Sequence, residues 1–256
     1  MVLGIDIGNT NIVIGIFDEK LKMLESFRIE TNSFQTVDEY GIKFLEIFRF
    51  YGYNYLEVEG VIISSVVPEL DYIFESMSKK FFGKTPLFVG PGIKTGIKIN
   101  IDNPKQLGAD ILVGMVGGYD KYGAPLLVID MGTAIKFFYL NKEKELLGGV
   151  IAPGISTSFS NLTSKASKLV GVKIDVPSSI IGRDTVTSIQ SAMIYGTASM
   201  IDGIIKKIKK EVNNNFLKVV ITGGESRMIN PYLEEKVTYD ENLILEGLAV
   251  VFSKNK

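Results

Sequence analysis

The chain is 256 residues long, 46% apolar and nearly neutral, with 28 Lys and Arg against 29 Asp and Glu, and it contains neither cysteine nor histidine. Disulfides, thiolate nucleophiles, thiolate metal sites and histidine bases are therefore excluded and zinc hydrolysis is disfavoured, so acid–base chemistry falls to carboxylates, lysine or tyrosine, and a catalytic metal would be a hard, oxygen-bound ion such as magnesium. A net charge of −1 gives no broad attraction to nucleic acid or an anionic membrane, which points to a small-molecule partner.

In chain order, residues 2–7 and 12–17 read as two strands of a hairpin turning at Gly8-Asn9, with residues 27–30 as a third strand. Residues 36–51 have helical spacing, with Tyr40, Phe44, Ile47 and Phe48 on one face. A buried strand over 58–66 is closed by Pro68, a helix follows over 69–82, and 86–89 is a short strand. Residues 90–104, rich in Gly, Lys and Asn, form a loop leading into a helix that begins near Lys105.

The second half repeats this plan. Residues 126–130 and 134–140 form a hairpin, and 145–151 a strand that ends in the turn Ala152-Pro153-Gly154. Residues 155–169 and 185–212 are helical patterns, and the strand over 216–221 runs into Thr222-Gly223-Gly224. The pattern predicts an α/β chain of two domains, 1–118 and 119–256, each a mixed sheet with flanking helices. Lys206, Lys207, Lys209 and Lys210 lie opposite an isoleucine stripe and read as a solvated helix face. Gly83-Lys84-Thr85 is no P-loop, because position 78 is serine and Pro86 follows at once. Asp6 interrupts the first apolar run, and no stretch approaches the roughly 20 apolar residues that span a bilayer, so a cytoplasmic location is expected.

Two short runs carry the chemistry, GIDIGNT at 4–10 and VIDMGTA at 128–134. In each, an apolar stretch ends at an aspartate, Asp6 or Asp130, and a glycine, Gly8 or Gly132, follows two positions later. An aspartate leaving a buried strand can hold a metal ion or a water, and the glycine lets backbone N–H groups approach phosphate oxygens. Asn9, Thr10 and Thr133 add short donors. One copy would be ordinary turn chemistry; two, each opening half of the chain, suggest a phosphate clamp built by duplication.

Together with Thr222-Gly223-Gly224, the paired runs resemble the superfamily of actin, hexokinase and the heat-shock ATPases, and most closely the type III pantothenate kinases. The ordered motifs are DIGNT at 6–10, SSVVP at 64–68, GIKTGIKINIDNP at 92–104, LGAD at 107–110 and DMGTA at 130–134. GGVIAPG at 148–154, GRDT at 182–185, TGG at 222–224 and ENLILEGL at 241–248 continue the series over nearly the whole chain. The resemblance implies two ribonuclease H-like domains of the actin-like ATPase fold with a nucleotide cleft between them. It implies transfer of the terminal phosphoryl group of ATP to pantothenate, the first step of coenzyme A synthesis. By the same resemblance Asp6, Gly8, Asn9 and Thr10 match the first phosphate motif, Gly132 and Thr133 with Asp130 the second, and Thr222, Gly223 and Gly224 the nucleoside-binding turn. Asp110 matches the general base, while Gly108, Ala109 and Thr185 match substrate-contacting positions. The family further implies magnesium at Asp6 and Asp130, a monovalent cation (potassium or ammonium) near the second motif, and a homodimer with pantothenate pockets at its interface.

Two motifs depart from the family pattern. Ile111 stands where an arginine usually follows the Gly-Ala-Asp, and Ile135 and Lys136 stand where threonines usually follow DMGTA. One expectation is that Lys136 supplies the substrate-facing cation that Ile111 no longer does. The competing expectation is a nucleotide-binding regulatory or sensor protein with lost or altered catalysis. Thr185 and Asp110 would also suit helix ends as capping groups.

Overall fold

The computed structural model, which describes residues 1–165 and 173–256, begins with the expected hairpin of β1 (Val2–Ile7) and β2 (Asn11–Phe17), to which β3 (Met23–Glu30) adds antiparallel. Helix α1 (Val37–Phe50) starts at a reciprocal cap: the Thr36 hydroxyl accepts from Glu39 N–H, and the Glu39 carboxylate accepts from Thr36 N–H. Strand β4 (Gly60–Ser65) lies parallel to β1, and α2 (Pro68–Met77) takes Pro at its first position, where no N–H is needed. One wider turn, Ser78–Phe82, extends α2 before β5 (Leu87–Phe88) and the short extended β6 (Lys98–Ile99). The helix expected near Lys105 is first a single tight turn, Pro104–Gln106, and only then α3 (Ala109–Tyr122).

The strands of this half run β3-β2-β1-β4-β5. Tyr40, Phe44 and Phe48 of α1 and Leu70 and Phe74 of α2 fill one side of the sheet. Leu112, Val113 and Val116 of α3 pack among Val2, Phe17 and Ile62. Every residue of β1 is buried, which explains its continuous apolar run where a one-faced strand would alternate.

The second half comprises β7 (Leu126–Met131), β8 (Ala134–Leu140), β9 (Glu145–Pro153), α4 (Ile155–Lys165), α5 (Thr185–Ser191), α6 (Thr197–Glu211), β10 (Lys218–Thr222), the short α7 (Ser226–Ile229) and β11 (Thr238–Tyr239). A wider turn, Ala192–Gly196, joins α5 to α6, so the pattern over 185–212 is one helical run. The helix expected over 155–169 is seen to Lys165; its remainder lies outside the described residues. Strand order β9-β8-β7-β10-β11 repeats that of the first half, with the same antiparallel hairpin and the same parallel neighbours. Ile194, Ala198, Ile201 and Ile205 pack on Leu127, Ile129 and Ile221. On the opposite face of α6, Lys209 departs from the expected solvated stripe: its side chain is only 15% exposed, and its ammonium pairs with Glu235 at 2.5 Å.

The chain ends in α8 (Leu243–Asn255), which the sequence reading placed in the second domain. It packs instead on β1, β2 and β4, so the compact units are Met1–Lys121 with Asn242–Lys256, and Tyr122–Glu241. The physical reason is its seat beside α3. A side chain at Gly247 would come within 2.2 Å of the Val113 carbonyl, and one at Gly117 within 2.4 Å of the Leu243 carbonyl. Only glycine at both positions lets the two backbones approach so closely, and Leu245 and Leu248 then join Leu112 and Val113 in one cluster. Among the described residues, no helix is long and apolar enough to cross a membrane.

Candidate active site

In the first unit, Asp6 is the penultimate residue of β1, paired in register with Val13 across the hairpin and with Ser64 on β4. Its side chain is largely enclosed, at 9% exposure. The turn is held by Gly8 N–H donating to Asn11 C=O at 3.0 Å and by the Thr31 hydroxyl donating to Gly8 C=O at 2.6 Å. Asn9 and Thr10 are left exposed at its tip. Ser64 belongs to SSVVP, a motif given no role in the sequence reading; its hydroxyl is fully buried and meets no hydrogen-bond partner among the described residues. A carboxylate beside a buried hydroxyl is an all-oxygen pair suited to a hydrated magnesium ion.

Also in this unit, Gly108 accepts the first helical bond of α3 through its carbonyl, from Leu112 N–H at 3.2 Å. Gly108 is therefore the cap, and Ala109 and Asp110 form the first turn. Asp110 Oδ1 accepts from Ile111 N–H at 2.8 Å. That oxygen lies 2.4 Å from where a Cβ on Gly108 would sit, so the absent side chain gives the carboxylate its space.

In the second unit, Asp130 of β7 is in register with Lys136 of β8 on one side and Thr222 of β10 on the other. Partners directly opposite on adjacent strands share a face of the sheet, so Lys136, Asp130 and Thr222 form a row. Lys136 Nζ donates to Asp130 Oδ2 at 2.8 Å, and both side chains are 18% exposed. The expectation that Lys136 reaches toward a substrate carboxylate thus meets a different geometry, in which its ammonium is engaged with Asp130. Gly223 takes a positive φ of 95° over the same carboxylate; a Cβ there would meet Met131 O at 2.4 Å and Asp130 Oδ1 at 2.7 Å. The Gly132-Thr133 turn is fastened from outside, with Thr133 C=O accepting from Gly154 N–H at 3.0 Å and from the Thr157 hydroxyl at 2.8 Å.

Glu225, which the sequence reading passed over, follows Gly224 directly. Its two carboxylate oxygens accept from Ile155 N–H and Ser156 N–H, each at 2.9 Å, and so cap α4. The only sequence signal was an acidic residue after the glycine pair.

Thr185 opens α5 but does not cap it. The cap is Asp184, whose carboxylate accepts from Thr187 N–H at 2.8 Å. That bond, with the Thr187 hydroxyl, holds the Asp184 carboxyl below the usual aspartate range. Thr185, Arg183, Ser188, Ile189 and Leu162 line a cavity of about 550 Å³. Among the described residues, no three or more carboxylates gather as a metal cluster. Each unit thus assembles its own loop, with Asp110 and Gly108 in the first and Thr185 and the glycine turn in the second.

Comparison with known proteins agrees over the full length. The family profile described as "Type III pantothenate kinase" matches residues 2–207. A type III pantothenate kinase of Citrifermentans bemidjiense is 44% identical over 256 residues, covering 100% of both chains. Among solved structures, an activator of 2-hydroxyisocaproyl-CoA dehydratase from Clostridium difficile with bound ADPNP aligns with a TM-score of 0.55 at 12% identity, over 99% of this chain and 94% of that one. An inorganic polyphosphate/ATP-glucomannokinase from an Arthrobacter species aligns with a TM-score of 0.53 at 15% identity, over 100% and 99%. At such identities these two speak for the fold alone, the actin-like ATPase and sugar-kinase fold.

Proposed function

The chain belongs to the type III pantothenate kinase family and phosphorylates pantothenate, and we propose that the two loops and the head of α3 divide that reaction among residues of distinct roles. The observation that carries the reading is the repetition of one strand–loop–strand device at the same place in two sheets of the same order, each device ending at a largely enclosed aspartate. Gly8, Asn9 and Thr10 on one loop and Gly132 and Thr133 on the other offer backbone N–H groups and short donors to ATP phosphates. Thr222, Gly223 and Gly224 form the turn for the nucleoside. Asp6 beside Ser64 would hold magnesium, which when bound neutralises phosphate charge.

Asp110 is the base. As the primary hydroxyl oxygen of pantothenate forms its bond to the terminal phosphorus, the bond to the β-phosphate oxygen breaks, ADP departs, and the hydroxyl proton passes to the Asp110 carboxylate. Gly108 and Ala109 shape the surroundings of that base at the head of α3, and Thr185 on α5 is a pantothenate-contacting residue by its match to the family motif. A homodimer completes the proposal, supported by the exposed Ile180, Ile181 and Val186 that flank the cavity-lining residues 182–185.

The sensor alternative finds no support among curated relatives, which carry the kinase name at 43–44% identity over the full length. The test is ADP release dependent jointly on ATP, magnesium and pantothenate, expected in the unaltered protein and reduced by about 10²- to 10⁴-fold in Asp110→Asn. Full activity in that variant removes Asp110 as the base.

A further inference from the structure

The family resemblance implies a metal ion and a monovalent cation close to the second loop, and the carboxylate there is Asp130. The donor set around Asp130 does not fit either ion. Oδ2 already carries the Lys136 ammonium at 2.8 Å, and Oδ1 lies under the Gly223 backbone. An added cation at this carboxylate would meet an ion pair whose charge is already balanced, with a positive group at contact distance.

The pairing follows from the hairpin. In the first, Ile7 pairs with Ile12, so four residues form the loop and the residue facing Asp6 is Val13. In the second, Met131 pairs with Ile135, so the loop has three residues and the residue facing Asp130 is Lys136. A lysine on the adjacent strand, directly opposite and held to 18% exposure, is a tethered ammonium in a fixed position. The first aspartate faces a hydrocarbon side chain, Val13, across the hairpin, and stands in register with the buried Ser64 hydroxyl on its other side.

We propose that Lys136 is the resident cation of the second loop, neutralising Asp130 from within the chain, so that this kinase works without an added monovalent cation and holds its magnesium without Asp130. The proposal rests on the kinase reading. It assigns Lys136 to the nucleotide side of the reaction, as a positioning residue that sets the charge of the loop carrying Gly132 and Thr133.

The test exchanges potassium chloride against tetramethylammonium chloride at constant ionic strength, for the unaltered protein and for Lys136→Met and Lys136→Thr. Thermal midpoint with and without ADP is read in parallel with pantothenate-dependent ADP release. The unaltered protein is expected to show the same midpoint and rate at every potassium level. In both variants the carboxylate, without its lysine, recruits potassium, so the midpoint rises with the ion and turnover recovers by about tenfold or more. A potassium-specific response in the unaltered protein overturns the proposal, as does a flat response in both variants. Should both variants fold only in potassium, the proposal stands; should both fail to fold with or without the ion, it falls, because the seat then accepts no free cation. Absence of pantothenate turnover in the unaltered protein at any salt refutes the kinase reading instead, and the midpoint titration still reports on Asp130.

Discussion

Replacing Gly108 by alanine separates the position of Asp110 from its mere presence. The new Cβ would lie 2.4 Å from Asp110 Oδ1, where ordinary contact needs 3.4–4 Å. The carboxylate must therefore retreat by about 1 Å, a displacement that in a catalytic group costs on the order of 10²-fold in rate, or about 2.7 kcal/mol of barrier. Its 2.8 Å bond to Ile111 N–H is given up or stretched in the process. The fold has little reason to object. Gly108 is not among the positive-φ glycines, and the weaker alanine cap is offset by roughly 0.4–1 kcal/mol from the stiffer unfolded chain. The assay is ADP release at saturating ATP and pantothenate, with the thermal midpoint measured on the same preparation. The expected result is a fall in kcat of about 10- to 100-fold with a midpoint shifted by no more than a few degrees. An unchanged kcat refutes the placement of Asp110, and a collapsed midpoint refutes the claim that the fold tolerates alanine at Gly108.

Three further outcomes follow from the packing and the caps. Gly247→Val drives a side chain into the Val113 carbonyl and should cost about 3 kcal/mol or more of stability, read as a lower urea midpoint; an unmoved midpoint would mean that α3 and α8 separate freely. Glu225→Gln weakens the two-pronged cap on α4 and should cost about 1 kcal/mol, with faster amide exchange at Ile155 and Ser156 as the local signature. Because the Asp184 carboxyl is held low by Thr187 N–H, the folded state binds its proton less readily than the unfolded chain does. Its contribution to α5 is therefore present above the ordinary carboxylate range and is lost as pH falls through the lowered value. Asp184→Asn keeps a cap but should remove that acid dependence from Thr187 amide exchange, and an identical acid profile in the variant would contradict the assignment.

The hairpins, α1 and the paired loops were legible because each depends on residues close in sequence: apolar runs, helical spacing and an Asp-x-Gly turn. Lys136 was legible as a departure but not in its role. Which residue faces Asp130 depends on loop length, and one residue fewer than in the first hairpin moves the facing position from a Val13 equivalent to a lysine. The cap of α5 was misread by one position for a similar reason, since Asp184 and Thr185 are both good capping types and only the backbone decides between them. Helix α8 gave no periodic signal, because Leu243, Leu245, Leu248, Ala249 and Val251 bury most of its circumference. Its return to the first unit is a long-range contact that no local pattern encodes.

That return bears on the order in which the protein is made. The second unit is continuous in sequence, whereas the first is interrupted by all of it and lacks α8 until residues 243–255 have been synthesised. A nascent chain can therefore fold the unit holding Asp130 and Lys136 while Val2, Phe17 and Leu112 still await cover. The helix that carries Asp110 gains its backing last, so a stalled ribosome would yield a product with one finished loop and no seated base.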